Sequence, residues 1–169
     1  EYEIKIKSII EEDNHIKDEF IAEGIKNSSM PARLEVISKS PLIILDGGHN
    51  EGCARALKNY IESELKGKKI LAVTSIMADK DYRSYLDIVL PYFDAFIACE
   101  ADVPRALDYL SLAESAKSGC KNVTAIKNPC EAVKYALDKK DDFDVILICG
   151  SFYLAGEVRE NLKEMLKDD

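Results

Sequence analysis

The sequence predicts an α/β domain in which a mostly parallel sheet carries helices on both faces. Apolar runs of strand length recur along the chain, a helically spaced apolar pattern follows each, and small or polar residues punctuate the junctions. Strands that are apolar on both sides need cover on both sides, and helices alternating with them supply it. The 169 residues, 47% hydrophobic and 32% charged, suit one main domain with its own core. Disorder, collagen and coiled coil do not fit that composition.

Residues 1–30 stand apart from this pattern. They hold eight carboxylates against four lysines, and Ile16, Phe20, Ile21 and Ile25 follow a helical spacing that stops near Asn27-Ser28-Ser29, so a helix and then a linker are expected. Pro31 fixes the backbone ahead of Arg33-Leu34-Glu35-Val36-Ile37, a strand-like run, and marks the expected domain boundary. Leu42-Ile43-Ile44-Leu45 is a buried strand, followed by a helix with Cys53, Leu57, Ile61 and Leu65 on one face and Gly67 closing it. Ile70-Leu71-Ala72-Val73 precedes a helix over Asp81 to Leu90, and Ala95-Phe96-Ile97-Ala98-Cys99 precedes one near Leu107 to Ser118. Val123-Thr124-Ala125-Ile126 leads to a helix opened by Pro129 in its first turn. Val145-Ile146-Leu147-Ile148-Cys149 leads to the last helix, which carries Leu154, Val158, Leu162 and Leu166.

Charge and cysteine usage narrow the function. Twenty-three basic against 31 acidic side chains give 23 − 31 = −8. That excess repels nucleic acids and anionic membranes, so any anion needs a local site. No apolar run approaches the roughly 20 residues of a membrane helix, and Glu1-Tyr2-Glu3 does not resemble a signal peptide. A soluble, cytoplasmic protein is expected. Cys53, Cys99, Cys120, Cys130 and Cys149 are odd in number, form no C-x-x-C, and sit mostly in apolar stretches, as reduced thiols do.

In a parallel sheet with right-handed crossovers, ligands bind outside the strand C-terminal ends. Those ends read Asp46-Gly47-Gly48-His49-Asn50, Thr74-Ser75, Glu100, Asn128 and Gly150-Ser151. Glu100 and Asn128 are read as ordinary polar loop ends. The first segment is more informative: a carboxylate follows a buried strand, two glycines allow a tight turn and close approach of a ligand, and Asn50 can cap the next helix while its N–H groups face an anion. Neither G-x-G-x-x-G nor G-x-x-x-x-G-K-[ST] is present in the sequence, so neither a dinucleotide fingerprint nor a phosphate loop lies here.

Five ordered motifs carry a resemblance: Met30-Pro31-Ala32-Arg33-Leu34-Glu35, Leu45 through Asn50, Asp79-Lys80-Asp81, Pro104-Arg105-Ala106-Leu107-Asp108, and Gly150-Ser151-Phe152-Tyr153-Leu154-Ala155-Gly156-Glu157-Val158-Arg159. In this order they resemble the folylpolyglutamate synthases, of the Mur ligase superfamily. The usual forms there are P-G-R and D-G-A-H-N, so Ala32 and Gly48 each depart by one small residue.

The resemblance implies that residues 31–169 are the C-terminal α/β domain of such a ligase and residues 1–30 a helical remnant of its central ATP-binding domain with the linker. It implies folate polyglutamylation: ATP activates the γ-carboxylate of a folate as an acyl phosphate, and the amine of L-glutamate attacks it. By motif position, Arg33 and Asp46 contact ATP, His49 and Asp46 are catalytic, and His49 and Ser151 face the incoming glutamate. Magnesium accompanies ATP, with its ligands expected outside this chain. The chain alone is therefore expected to be inactive, and a monomer is expected. Taken apart from the resemblance, Asp79-Lys80-Asp81 reads equally as a helix cap or a substrate contact, and Phe152 and Tyr153 read as packing rather than adenine stacking. A dihydrofolate synthase activity in the same protein, another Mur-type amide ligase, and a non-catalytic α/β module that binds a small anion remain open.

Overall fold

The computed structural model describes residues 20, 23–24 and 30–166. The chain divides into two units, Glu1–Met30 and Pro31–Asp169, and the elements below belong to the second. The helix expected through Ile16, Ile21 and Ile25 falls outside the described residues, apart from Phe20, Glu23 and Gly24, which are helical.

Six strands and five helices follow in the expected alternation: β1 Glu35–Lys39, β2 Leu42–Asp46, α1 Glu51–Glu64, β3 Ile70–Thr74, α2 Tyr82–Val89, β4 Ala95–Ala98, α3 Tyr109–Ala116, β5 Val123–Ala125, α4 Pro129–Leu137, β6 Val145–Cys149 and α5 Phe152–Met165. They form one sheet in the order β1-β2-β6-β3-β4-β5, parallel throughout except for β1, which runs antiparallel to β2. All five residues of β3 and all five of β6 are buried, because these strands are central and covered on both faces.

Alternation along each strand sorts the core into two layers. Ile44, Ala72, Phe96 and Leu147 pack under α1, α2 and α3 through Leu57, Tyr85 and Leu112. Ile43, Val73, Ile97 and Ile148 face α4 and α5 through Val133, Leu154 and Val158. Each helix starts on a side-chain cap: Asn50, Asp81, Asp108, Asn128 and Ser151 accept from the N–H groups of Cys53, Ser84, Ser111, Glu131 and Tyr153. Such caps satisfy donors that the helix itself leaves open.

Several boundaries shift by one or two residues from the sequence reading, and two of the shifts have a clear local cause. The strand expected over Arg33–Ile37 begins only at Glu35, because Ala32 and Leu34 adopt left-handed φ values of 55° and 48° and turn the chain around Arg33. The helix expected from Leu107 begins at Tyr109, because Asp108 is its cap and Leu107 donates its N–H to Ile76 O at 2.8 Å.

Candidate functional site

The registers of β2, β6 and β3 bring Asp46, Cys149 and Thr74 level with one another at the C-terminal edge. Beyond them lie the Asp46–Asn50 turn and the Gly150-Ser151 turn. Asp46 is 6% exposed. Its Oδ1 accepts from Leu34 N at 3.4 Å and its Oδ2 from Gly48 N at 3.2 Å. Burial pushes its carboxyl above the usual aspartate range, while those two N–H groups and the Arg33 guanidinium pull it back.

Arg33 stands at the crest of a strained turn. Gly47 N donates to Ala32 O at 2.7 Å, Ala32 N donates to Glu35 Oε2 at 2.9 Å, and Leu34 N reaches Asp46. These bonds hold non-glycine residues in a left-handed backbone that they adopt only when the surroundings impose it. Arg159 of α5 anchors the base of the turn, its Nη2 donating to Glu35 Oε1 at 2.6 Å and its Nε to the same carboxylate. That guanidinium holds the Glu35 carboxyl below the usual glutamate range.

Phe152, the first residue of α5, is the platform on which the corner is assembled. The Arg33 Cζ lies 4.4 Å above its ring centroid, and the His49 ring meets it edge-on at 6.2 Å. A Cβ at Gly47 would stand 2.4 Å from Phe152 Cδ1, so the first glycine exists for this ring. A Cβ at Gly48 would stand 2.7 Å from both Asp46 Oδ2 and Cys53 Cβ, so the turn leaves no room for a side chain there.

His49 Nδ1 lies 3.3 Å from Gly47 O. A carbonyl only accepts, so Nδ1 is the donor of this bond, which turns Nε2 away from it and leaves Nε2 as the acceptor whenever the ring carries a single proton. Ser151 is buried, and its Oγ accepts from Tyr153 N at 3.0 Å, leaving the hydroxyl proton to donate. Arg33, Asp46, Gly47 and His49 thus share one corner, and Ser151 sits beside Phe152 at the end of the neighbouring strand.

Sequence reasoning missed the platform role of Phe152, the anchoring of Glu35 by Arg159, and Cys53, whose Sγ lies 3.9 Å from Arg33 Nη1. The glycine pair was the signal for the first. Nothing local in the sequence signals the second, since Glu35 and Arg159 are 124 residues apart. Glu100 and Asn128 serve as loop closures, as read: Glu100 accepts from Tyr109 N, and Asn128 caps α4. Asp81 is a cap, its carboxylate accepting from Ser84. All five cysteines are free, and among the described residues no helix is long and apolar enough to cross a membrane.

A small cavity of about 160 Å³ opens at this corner, lined by Arg33, Leu34, Asp46, Cys53, Ala56 and Leu57. A larger one, about 600 Å³, lies at the other end of the same edge between Glu100, Asp102, Asn128, Glu131 and Glu157.

Known proteins share this fold. The Bacillus subtilis dihydrofolate synthase/folylpolyglutamate synthase is 30% identical over 149 residues, covering 88% of this chain and 34% of that protein. The Lacticaseibacillus casei folylpolyglutamate synthase is 34% identical over 143 residues, covering 84% of this chain and 32% of that protein. The chain thus spans about a third of the length of the curated relatives it matches. Among solved structures, Mycobacterium tuberculosis folylpolyglutamate synthase complexed with ADP and AMPPCP superposes with a TM-score of 0.79 at 28% identity, covering 86% of this chain and 35% of that one. Escherichia coli FolC in complex with DHPP and ADP superposes with a TM-score of 0.81 at 25% identity, covering 89% of this chain and 36% of that one. The sequence pattern of the Mur ligase family's glutamate ligase domain matches residues 32–152, and the chain belongs to that family.

Proposed function

We propose that this chain is the C-terminal α/β domain of an ATP-dependent ligase that adds L-glutamate to the γ-carboxylate of a folate through an acyl phosphate, with residues 1–30 the end of its central domain. One observation carries this reading: the Arg33 guanidinium is held over Phe152 beside the buried Asp46, on a left-handed turn at the sheet's C-terminal edge. Backbone strain and a desolvated carboxylate are stabilised here by the rest of the fold, as is common where a site must be pre-organised.

The residues present fit a nucleotide. A planar guanidinium matches phosphate oxygens, and a carboxylate matches ribose hydroxyls or a phosphate-bound water. ATP would supply the phosphoryl group that activates the folate carboxylate. The incoming amine attacks only after losing a proton, and the acceptor Nε2 of His49 suits that transfer, while the Ser151 hydroxyl can donate to a glutamate carboxylate. Magnesium would accompany ATP, with its ligands on the remainder of the protein. The relatives' names support both the ligase class and folate as substrate, and several of them add a dihydrofolate synthase activity.

The full-length protein tests this directly. ADP release that requires both L-glutamate and a reduced folate supports the reading, and ADP release independent of glutamate overturns it. Dihydropteroate in place of folate tests the second activity. The chain alone should form no product, because Arg33, Asp46, His49 and Ser151 make only one wall of such a site.

A further inference from the structure

Helix α5 grips the Arg33 turn at two points. At its start the Phe152 ring lies under the Arg33 guanidinium, 4.4 Å from Cζ, and two turns further along Arg159 takes hold of Glu35. Residues two turns apart share one face of a helix, so a single strip of α5 meets both the head of Arg33 and the backbone that carries it.

The contact with Glu35 engages both carboxylate oxygens. Arg159 Nη2 donates to Oε1 at 2.6 Å, and Nε lies 3.2 Å from Oε1 and 3.1 Å from Oε2. Oε2 also accepts from Ala32 N at 2.9 Å. One carboxylate therefore ties α5 to the left-handed segment in which Ala32 and Leu34 flank Arg33. The Arg159 and Glu35 side chains are 27% and 21% exposed, against 66% and 54% for the surface pair Arg55–Glu51, so water and salt screen the Arg159–Glu35 pair less.

We infer that Arg159 is a positioning residue for nucleotide binding: it holds Glu35 so that the turn presents Arg33, and it keeps the Glu35 carboxylate from pairing with the Arg33 guanidinium. This rests on the reading of Arg33 as a phosphate contact. A left-handed backbone at non-glycine residues persists only while its surroundings impose it, and Arg159 fixes the carboxylate that binds Ala32 N. Charge works in the same direction. Glu35 is two residues from Arg33, whose side chain is exposed, so a carboxylate released from Arg159 has another guanidinium within reach. A guanidinium already paired with its own chain has fewer donors and less charge to offer a phosphate.

The test uses the full-length protein, with apparent KM for ATP and for L-glutamate, kcat and melting temperature as readouts. Arg159→Met should raise the ATP KM about three- to thirtyfold, the range of coupling within one ion-pair network, with the glutamate KM unmoved. Arg159→Lys keeps a charge opposite Glu35 but not the fork, and should recover part of the loss. Glu35→Gln keeps an acceptor for Ala32 N and leaves no carboxylate to capture Arg33, so it should raise the ATP KM less than Arg159→Met does. Adding it to Arg159→Met should bring the ATP KM back down. Glu160→Gln, which removes the exposed second partner of Arg159, should leave every value at wild type.

A brace that serves stability alone lowers the melting temperature and leaves the ATP KM where it was. That result in Arg159→Met overturns the inference, as does a glutamate KM rising in step with that for ATP. Where Arg159→Met does not fold, an ATP KM unchanged in both Arg159→Lys and Glu35→Gln overturns it. A double variant no better than Arg159→Met overturns the shielding of Arg33 from Glu35. If Arg33→Ala itself leaves the ATP KM unmoved, the nucleotide reading of Arg33 falls and takes this inference with it; if Arg33→Ala raises it and Arg159→Met does not, the inference alone falls.

Discussion

Asp46, the last residue of β2, and Glu100, just after β4, stand at the same edge of the same sheet, and the fold uses them in opposite ways. Glu100 accepts from Tyr109 N at 3.3 Å and lies 3.7 Å from Lys127, while nearby Glu157 accepts from Asp102 N and Asn128 caps α4. Polar groups there close loops, and the large cavity between them is lined by four carboxylates, Glu100, Asp102, Glu131 and Glu157, against the single cation Lys127, which disfavours an anionic ligand. At Asp46 the carboxylate is desolvated, the backbone beside it is left-handed at two non-glycine residues, and a guanidinium is held in place over a ring. The smaller cavity holds both the buried carboxylate and the guanidinium. Room alone does not mark a site; a charge and a strained turn that the rest of the fold must stabilise mark it better.

The largest expected effect contrasts these two ends. In the full-length protein, Arg33→Ala should raise the apparent KM for ATP by about ten- to a hundredfold, corresponding to about 1.5–3 kcal/mol for a charge-assisted contact. Arg33→Lys should restore only part, because the planar fork is lost. Glu131→Gln, in the wall of the larger cavity, should leave the ATP and glutamate values where they were. Equal effects at both ends would erase the distinction drawn between them.

Two glycines, one facing the Phe152 ring and one inside α5, sharpen the comparison. Gly47→Ala would set a Cβ 2.4 Å from Phe152 Cδ1 and should cost about 1–3 kcal/mol in thermal or denaturant unfolding of this chain. Because the displaced ring also carries Arg33, the same change should weaken ATP use in the full-length protein. Gly156→Ala, inside α5, meets nothing within 4 Å and should stabilise by about 0.5–1 kcal/mol. Adding Phe152→Ala to Gly47→Ala should relieve the clash, so the double mutant should be less unstable than the two single effects combined.

Ser151 belongs to both structure and site, and its two roles separate in measurement. Ser151→Ala removes the cap on Tyr153 N and should lower stability by about 1 kcal/mol. His49→Gln should have a smaller effect on stability, since a 3.3 Å bond to Gly47 O and an edge-on contact with Phe152 are what it loses. Under the proposed function both raise the glutamate KM more than the ATP KM. A stability loss in Ser151→Ala with glutamate saturation unchanged would return that residue to capping alone.

Most of the fold was legible because its signals are local. The apolar runs at 42–45, 70–73 and 145–149 are strands in place, and Asn50 and Asp81 cap helices, a role their positions allow, whereas Asn128, read as an ordinary loop end, caps a helix as well. The Arg33 turn was not legible. Leu34 is an apolar residue next to Glu35-Val36-Ile37, and nothing in the sequence announces that Glu35, Asp46 and Gly47 will bind the backbone around it from as far as 15 residues away. Arg105 was visible as a motif member but without a role, because its partners Asp79 and Tyr153 meet it only once two loops and the start of α5 are assembled.

The smallest expected effect concerns sign. Asp46 and Glu35 brace the same turn, and folding moves their carboxyls in opposite directions: burial raises Asp46, and the Arg159 guanidinium lowers Glu35. A carboxyl raised on folding carries a penalty when ionised, so its contribution favours the folded state below the usual aspartate range and is lost as pH rises through the folded value. A carboxyl lowered on folding contributes above the usual glutamate range and loses that contribution as pH falls through its folded value. Asp46→Asn keeps an acceptor for Gly48 N and gives up mainly the long 3.4 Å bond from Leu34 N. At neutral pH this chain should therefore melt higher with Asp46→Asn and lower with Glu35→Gln than the wild type. Both differences should shrink toward zero as the pH is brought down into the carboxylate range. If Asp46→Asn instead lowers the melting temperature at neutral pH, the carboxylate stabilises the turn more than its burial costs. The contrast between a desolvated Asp46 and a loop-closing Glu100 would then rest on Arg33 and the backbone alone.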